Sequence, residues 1–85
     1  MKIVEIYTTP YCPYCIAAKR LLDKKGVEYT EIDVSRDQGL RQAMTQRAGG
    51  ARTVPQIFIG DEHVGGCDDL HALDGRQLLD PMLQA

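Results

Sequence analysis

Cys12 and Cys15 are the residues with the clearest chemical potential, two thiols separated by Pro13 and Tyr14. A thiol attacks a disulfide only as its thiolate, and an unperturbed cysteine, with a pKa of about 8.5, is only slightly ionised at neutral pH. Two cysteines at this spacing can form a redox dithiol, supply half of a metal site, or fill space in a core. The neighbouring sequence has to separate these three interpretations.

The position of Cys12, just after a predicted strand and before a predicted helix, favours the redox dithiol. Backbone N–H groups in the first turn of a helix lack intrahelical acceptors and form the positive end of the helix dipole, so they stabilise an anion. Pro13 suits the first helical position because its φ is already helical. Cys15 lies one turn further in, on the same helix face, and should be more buried. We therefore predict Cys12 as the nucleophile and Cys15 as the resolving thiol.

The two other interpretations find less support. A zinc site needs about four ligands, and the remaining candidates, Cys67, His63 and His71, form no second close pair. A chance pair of core cysteines remains the alternative. Three cysteines are too few, and odd in number, for a secreted disulfide scaffold, so in a reducing compartment the pair should cycle between thiol and disulfide.

Composition limits the classes of partner. The chain has 85 residues, of which 44% are hydrophobic and 26% charged, which predicts one ordered domain spanning residues 1–85. Its formal charge is -2 and provides no global field for nucleic acid or an anionic membrane. The first apolar run meets Glu5 after two residues, too early for a signal peptide, and no membrane-spanning run follows. We expect a cytoplasmic monomer that binds its partners at a local site.

Hydrophobic periodicity predicts the first elements. Residues 2–8 are typical of a strand buried on most of both faces. A helix of about three turns should begin at Pro13 and end at Gly26, because apolar residues recur at helical spacing at Cys15, Ala18, Leu21 and Leu22. Residues 27–34 predict a second strand, although their alternation slips phase and leaves its facing open.

The second half of the chain predicts a helix, a hairpin and two further helices. Ser35 to Gln38 has the form of a capping box, and Gly49-Gly50 should end a helix whose apolar stripe is Leu40, Ala43, Met44 and Ala48. Residues 56–59 and 62–64 flank Gly60-Asp61 and predict an antiparallel hairpin. A short helix and a terminal helix should then be separated near Gly75, with Pro81 either kinking or restarting the last one.

With the two C-terminal helices counted as one helical segment, this element order is βαβαββα and defines an α/β fold. The first strand, helix and strand should form a right-handed parallel crossover, and the hairpin must join the same sheet because an isolated pair of strands is marginally stable. The prediction is a four-stranded mixed β-sheet flanked by helices.

Three motifs resemble the glutaredoxin family, most closely its small bacterial dithiol members. They are Cys12-Pro13-Tyr14-Cys15, Thr53-Val54-Pro55 and Gly65-Gly66-Cys67-Asp68-Asp69. The resemblance covers essentially the whole chain and implies a thioredoxin-like fold. It also implies a thiol–disulfide oxidoreductase with glutathione as co-substrate, no metal, and disulfide-bonded or glutathionylated proteins as partners. In such an enzyme Cys12 forms the glutathione mixed disulfide and Cys15 resolves protein disulfides.

The resemblance further implies a groove for glutathione lined by Tyr14, Thr53, Val54, Pro55, Gly66, Cys67 and Asp68. Val54, before a cis-Pro55, would pair its backbone with the tripeptide like an added strand. Helix N–H groups after Gly66 would take the γ-glutamyl carboxylate, with Asp68 beside the ammonium group. Tyr14 would cover the ligand, or be a surface tyrosine without a role.

Neighbouring residues have expected roles outside catalysis. Cys67 is expected to contact glutathione through its backbone and not to act as a catalytic thiol. Either Asp68 or Asp69 could instead cap the helix that follows Gly66, and capping is the expected role of Asp69.

One departure from the family pattern concerns charge. Many members carry a lysine shortly before the first cysteine, whereas this chain has Thr8-Thr9-Pro10-Tyr11. Arg52 or Lys19 could supply a positive charge instead, and otherwise the thiolate would depend more on backbone N–H groups.

Two other functions stay open at this point. One is a thioredoxin-like reductant supplied by a flavoprotein reductase, which Tyr14 and the Gly-Gly-Cys-Asp loop disfavour. The other is a protein that binds an iron–sulfur cluster through Cys12 and glutathione thiolates, which Pro13 disfavours.

Overall fold

A computed structural model describes residues 2–84 as four strands and four helices. In chain order these are β1 Val4–Thr8, α1 Pro13–Lys24, β2 Thr30–Asp33, α2 Gln38–Arg47, β3 Gln56–Ile59, β4 Glu62–Gly65, α3 Cys67–Gly75 and α4 Leu79–Gln84. Met1 and Ala85, the ends of the predicted domain, lie outside the described residues.

The strands form one mixed sheet in the order β2-β1-β3-β4. β1 pairs in parallel with β2 and antiparallel with β3, and β3 pairs antiparallel with β4. The predicted α/β fold, with its four-stranded mixed sheet, is confirmed. Because β1 ends, β3 begins and β4 ends at the same edge of the sheet, the segments beyond Thr8, before Gln56 and after Gly65 come together there.

Alternation along the central strands divides the core between the two faces of the sheet. One face carries the larger cluster, which α1, α3 and α4 cover: Val4, Ile6, Ala18, Leu21, Leu22, Val27, Ile57, Ile59, Cys67, Leu70, Leu79 and Leu83. The opposite face carries a smaller cluster against α2, formed by Tyr7, Val34, Met44, Ala48 and Phe58. Burial of apolar side chains on both faces is the main stabilising term.

The two parallel strands are shorter than predicted. β1 begins at Val4, not at residue 2, and the side chain of Ile3 is 71% exposed. β2 contains only Thr30–Asp33. It is an edge strand that pairs with β1 alone, and this pairing extends only from Glu5 opposite Thr30 to Thr8 opposite Asp33. Val27 lies instead in the connection that follows α1, where its N–H donates to the Leu22 carbonyl at 3.2 Å.

The capping box predicted at Ser35 is wrong in position. Asp37 is the N-cap of α2, and its carboxylate accepts a hydrogen bond from the Leu40 N–H at 3.0 Å. The Ser35 N–H donates to Asp33 Oδ1 at 2.8 Å, which holds this residue in a turn before the helix. The apolar stripe of α2 is also narrower than predicted, since Met44 and Ala48 are buried whereas Leu40 and Ala43 are exposed.

Other predicted boundaries are confirmed. α1 ends at Lys24, and Gly26 follows in the left-handed region with φ of 70°. The hairpin turns at Gly60, and α3 ends at Gly75. Pro81 lies in the first turn of α4, where a missing N–H costs no intrahelical bond, so it starts the last helix and does not kink it.

Candidate active site

The three sequence motifs converge on a groove of about 470 Å³ at the shared sheet edge. All seven residues predicted for the groove line it: Tyr14, Thr53, Val54, Pro55, Gly66, Cys67 and Asp68. The topology explains this convergence, because Tyr14 follows β1, the Thr53-Val54-Pro55 segment precedes β3, and Gly66 follows β4.

Cys12 is the N-cap residue of α1, with an extended backbone of φ -87° and ψ 113°. Its Sγ accepts a hydrogen bond from the Cys15 N–H at 3.3 Å, as an N-cap oxygen would. The preceding residue, Tyr11, has φ of 65° and a 97% exposed side chain. This left-handed turn, uncommon for a residue other than glycine, links the end of β1 to the start of α1 and leaves Cys12 partly exposed.

The surroundings of Cys12 favour its thiolate. Partial burial by itself would raise the pKa of this thiol. Hydrogen bonds donated to the sulfur by the Cys15 thiol and by the N–H groups of Cys15 and Tyr14 outweigh burial and hold the pKa of Cys12 below its ordinary value. The start of the helix thus stabilises the anion, as the sequence pattern predicted.

Cys15 has the opposite character. Only 1% of it is exposed, and burial, followed by its hydrogen bond to the Cys12 sulfur, raises the pKa of Cys15 to about 12. Two thiols three residues apart therefore differ in acidity: the pKa is lowered at the partly exposed Cys12 and raised at the buried Cys15.

The Thr53-Val54-Pro55 segment forms the wall of the groove nearest the thiol. The Val54–Pro55 peptide bond is cis. The Val54 carbonyl oxygen lies 3.9 Å from Cys12 Sγ. The backbone of Val54 therefore borders the reactive sulfur, in a position to pair with an extended peptide.

The N-terminus of α3 also lines the groove. Gly66 is its N-cap, and the first intrahelical bond runs from the Leu70 N–H to the Gly66 carbonyl at 3.0 Å. The N–H groups of Cys67 and Asp68 precede that bond and have no acceptor within the helix. Asp69 caps the helix from within, since its carboxylate accepts the Gly66 N–H at 3.0 Å. Gly65, with φ of 115°, passes so close to Asp69 that a Cβ atom there would meet the carboxylate.

Cys67 is a buried thiol on the groove wall. Burial, with the nearby charge of Asp68, raises its pKa. Its Sγ lies 3.4 Å from His71 Nδ1, and the same ring nitrogen is 2.9 Å from the Cys67 carbonyl oxygen. A protonated thiol is a poor nucleophile.

Neither of the two candidate cations is among the groups that lower the pKa of Cys12. Lys19 forms an ion pair with Glu31 at 3.0 Å, which raises the pKa of Lys19, and Glu31 also accepts a hydrogen bond from Thr8 Oγ1 at 2.8 Å. Arg52 lines a neighbouring groove along α2. The hydrogen bonds that lower the pKa of Cys12 come from Cys15 and Tyr14, at the start of α1.

Five further residues that line the groove were not predicted as site residues: Ala51, Gln56, His63, Gly65 and Asp69. The sequence does contain a signal for a role of Gln56 in the site, because this polar residue begins an apolar strand directly after Pro55. The sequence suggests His63 only as a candidate metal ligand. Contact between these two side chains depends on strand register, which one sequence does not specify.

Two features of residues 2–84 bear on other kinds of site. Nowhere in this part of the chain do three or more His, Cys, Asp or Glu side chains lie together as a metal ion would need. None of its helices is both long and apolar enough to span a membrane.

Comparison with known sequences identifies relatives along the whole chain. Residues 4–64 match the sequence profile of the family described as glutaredoxin. The glutaredoxin of Pseudomonas aeruginosa is 54% identical over 85 residues, which cover 100% of both chains. Glutaredoxin 3 of Escherichia coli K12 is 52% identical over 84 residues, which cover 99% of this chain and 100% of its own.

Solved structures give the same result. A solution structure of glutaredoxin from Brucella melitensis has a TM-score of 0.86 and 55% identity, with 98% of this chain and 89% of the other covered. The crystal structure of a buckwheat glutaredoxin–glutathione complex has a TM-score of 0.89 and 34% identity, with 98% and 77% covered.

Proposed function

This chain belongs to the glutaredoxin family of thiol–disulfide oxidoreductases, and we propose that it reduces glutathionylated proteins and protein disulfides with glutathione as its co-substrate. The single observation that carries the proposal is the pair of thiols with opposite pKa shifts, with Cys12 beside a groove of tripeptide size. The solved relative that holds glutathione supports the choice of ligand.

The monothiol route uses Cys12 alone. Its thiolate attacks the glutathione sulfur of a glutathionylated protein, an S–S bond forms between Cys12 and glutathione, and the protein sulfur leaves as a thiolate that takes a proton from water. A second glutathione thiolate then attacks the glutathione sulfur of the mixed disulfide. This step releases oxidised glutathione and restores the Cys12 thiolate.

The dithiol route adds Cys15. After Cys12 has formed a mixed disulfide with a protein, Cys15 attacks Cys12 Sγ, the departing protein thiolate accepts the Cys15 proton, and a Cys12–Cys15 disulfide results. Burial raises the pKa of Cys15 most, and in the free enzyme the Cys15 hydrogen bond to the Cys12 sulfur and the Cys12 charge are two further influences that keep Cys15 protonated. Both influences vanish when Cys12 becomes part of a disulfide, so Cys15 becomes more acidic at the stage where it must attack.

In this proposal the groove holds glutathione in an extended conformation. Val54 supplies backbone N–H and C=O groups, and the first turn of α3 takes the γ-glutamyl carboxylate. Asp68 neutralises the ammonium group, and Tyr14, which is 63% exposed, covers the ligand. Thr53, Pro55, Gly66 and the Cys67 backbone shape the remaining walls. The proposal takes residues 1–85 as one domain that acts as a monomer in the cytoplasm.

A coupled assay tests the co-substrate. The protein is supplied with a small glutathione mixed disulfide, glutathione, glutathione reductase and NADPH, and NADPH oxidation is followed. We expect turnover by the wild type and by Cys15→Ser, and none by Cys12→Ser. Turnover only when thioredoxin reductase replaces glutathione and its reductase would contradict the proposal and favour a thioredoxin-like reductant.

A further inference from the structure

Gln56 is a polar side chain buried in the groove wall. The residue is 3% exposed and begins β3 directly after Pro55. Its Nε2 donates to the Thr53 carbonyl oxygen at 3.0 Å and to Thr53 Oγ1 at 3.2 Å. Gln56 therefore links Thr53, the residue before Val54, to strand β3 by hydrogen bonds.

The other end of the Gln56 amide meets His63, whose Nε2 lies 2.6 Å from Gln56 Oε1. The Thr53 carbonyl can only accept a hydrogen bond, so the Gln56 nitrogen faces it and the Gln56 oxygen faces the imidazole. His63 Nε2 must then carry a proton, which both the neutral Nε2–H tautomer and the imidazolium provide. Without that donor, a buried amide oxygen would have no protein partner in this contact.

The His63 ring is itself held in place. His63 lies opposite Phe58 in the β3–β4 ladder, and the two rings stack with centroids 4.8 Å apart and planes 25° apart. Phe58 is 1% exposed and carries the Arg47 guanidinium 4.0 Å from its ring centroid. Stacking on Phe58 therefore orients the His63 ring so that its Nε2 faces Gln56.

We infer that His63 is a positioning residue for glutathione binding, which acts through Gln56 to fix the Thr53 backbone and thereby the peptide groups of Val54. This inference rests on the proposed function, in which Val54 pairs with the tripeptide. The relay is His63 Nε2 to Gln56 Oε1, then Gln56 Nε2 to Thr53 O, and it ends one residue before the carbonyl that lies 3.9 Å from Cys12 Sγ.

The relay should affect binding and leave the nucleophile unchanged. The hydrogen bonds that favour the Cys12 thiolate come from Cys15 and Tyr14 in α1. The relay connects β4 to the segment before β3 and contributes none of these bonds. Loss of the His63 donor should therefore weaken use of a glutathione substrate, while the intrinsic reactivity of Cys12 stays the same.

Three variants isolate the His63 hydrogen bond. His63→Leu removes the donor and keeps an apolar side chain against Phe58. His63→Gln keeps an N–H₂ donor at a similar reach, and it loses the ring stack just as His63→Leu does. Glu62→Leu, at the neighbouring exposed position of β4, controls for added apolar surface.

The readouts are kcat and KM for a glutathionylated peptide at fixed glutathione, and the rate constant for alkylation of Cys12 by iodoacetamide, which needs no groove. For His63→Leu we expect kcat/KM to fall about tenfold, mainly through KM, as for one buried acceptor left unpaired. The alkylation rate should not change. His63→Gln should recover most of the loss, and Glu62→Leu should match the wild type.

A spectroscopic measurement reports the relay without activity. The side-chain amide protons of Gln56 should exchange slowly with solvent in the wild type and in His63→Gln, and faster in His63→Leu, at a temperature where circular dichroism shows all variants folded.

The inference is overturned if His63→Leu keeps the wild-type kcat/KM, if His63→Gln is equally impaired, or if alkylation slows in parallel. A wild type inactive with every glutathione substrate would overturn the proposed function and this inference together. Wild-type activity with an unimpaired His63→Leu would overturn this inference alone.

Discussion

Cys12 and Cys15 are the same chemical group in two environments that shift their acidity in opposite directions. Cys12 is at the helix start, where N–H groups donate to its sulfur, whereas Cys15, one turn further along α1, is buried. Burial disfavours a thiolate and hydrogen-bond donors favour it, so the balance at each sulfur follows from a displacement of one helical turn.

The pH dependence of alkylation follows from these shifts. Because thiolate is the reactive form and the pKa of Cys12 is lowered, alkylation of reduced protein should reach half its maximal rate at a lower pH than alkylation of free cysteine does. Cys15, whose pKa is about 12, should stay unmodified across the neutral range. Iodoacetamide rates from pH 4 to 10, with the adduct located by peptide mass, check both statements. A midpoint at or above that of free cysteine would contradict them.

Two substitutions at Cys15 distinguish the effect of its side-chain hydrogen bond to Cys12 from that of its backbone hydrogen bond. The Cys15 thiol donates to the Cys12 sulfur, and so does the Cys15 N–H, which any residue at this position retains. Cys15→Ala should therefore raise the pKa of Cys12, whereas Cys15→Ser, with a hydroxyl donor, should keep it lower than in Cys15→Ala. Ultraviolet titration of the thiolate gives both values. Equal pKa values in the two variants would show that the side-chain donor has no effect.

At the scale of elements, the end of α1 depends on a backbone conformation that glycine adopts freely. Gly26 has φ of 70° and has open space where a Cβ would lie, so any penalty for a side chain is conformational. Gly26→Ala should lower the free energy of unfolding by about 1 kcal/mol. Gly75→Ala, in the last turn of α3 and equally unobstructed, should be neutral or stabilise by up to about 1 kcal/mol. Urea denaturation measures both, and an equal loss in the two variants would contradict the argument.

The elements that the sequence predicted well are those with a strong local signal. α1 has a four-residue apolar stripe, a proline at its start and a glycine after its end, and it was predicted to the turn. The predicted second strand, residues 27–34, is too long. The length of β2 is set by its pairing with β1, and this long-range pairing cannot be inferred from Val27 and Val34. The predicted start of α2 is wrong because Ser35 and Asp37 are both good N-cap residues. In the structure the Ser35 N–H donates to Asp33, which places Ser35 in a turn and leaves Asp37 as the N-cap.

At the scale of the whole molecule, the small core beneath α2 depends on few side chains. Met44 is 0% exposed in that cluster, whereas Leu40 of the same helix is 39% exposed. Met44→Ala should destabilise the protein by about 2–5 kcal/mol through lost burial and a cavity. Leu40→Ala should cost less than about 1 kcal/mol. Thermal or chemical denaturation of both variants checks this, and similar losses would show that Leu40 is also a core residue.

The site as a whole could be predicted only in part. Resemblance of three motifs assigned seven groove residues, and strand order explains why segments more than fifty residues apart meet at one sheet edge. The link from His63 through Gln56 to Thr53 could not be predicted, because it needs the β3–β4 register, which places Phe58 opposite His63 and includes an irregularity beside Ile57. Local patterns predict elements, and contacts between elements require their relative positions.

The most direct test of the central claim is the location of glutathione on the protein. Cys15→Ser, which cannot close the intramolecular disulfide, is incubated with oxidised glutathione, and intact and peptide masses are measured. The account predicts a single glutathione adduct, on Cys12, that free glutathione removes. An unmodified protein, or an adduct found only on Cys67, would contradict it.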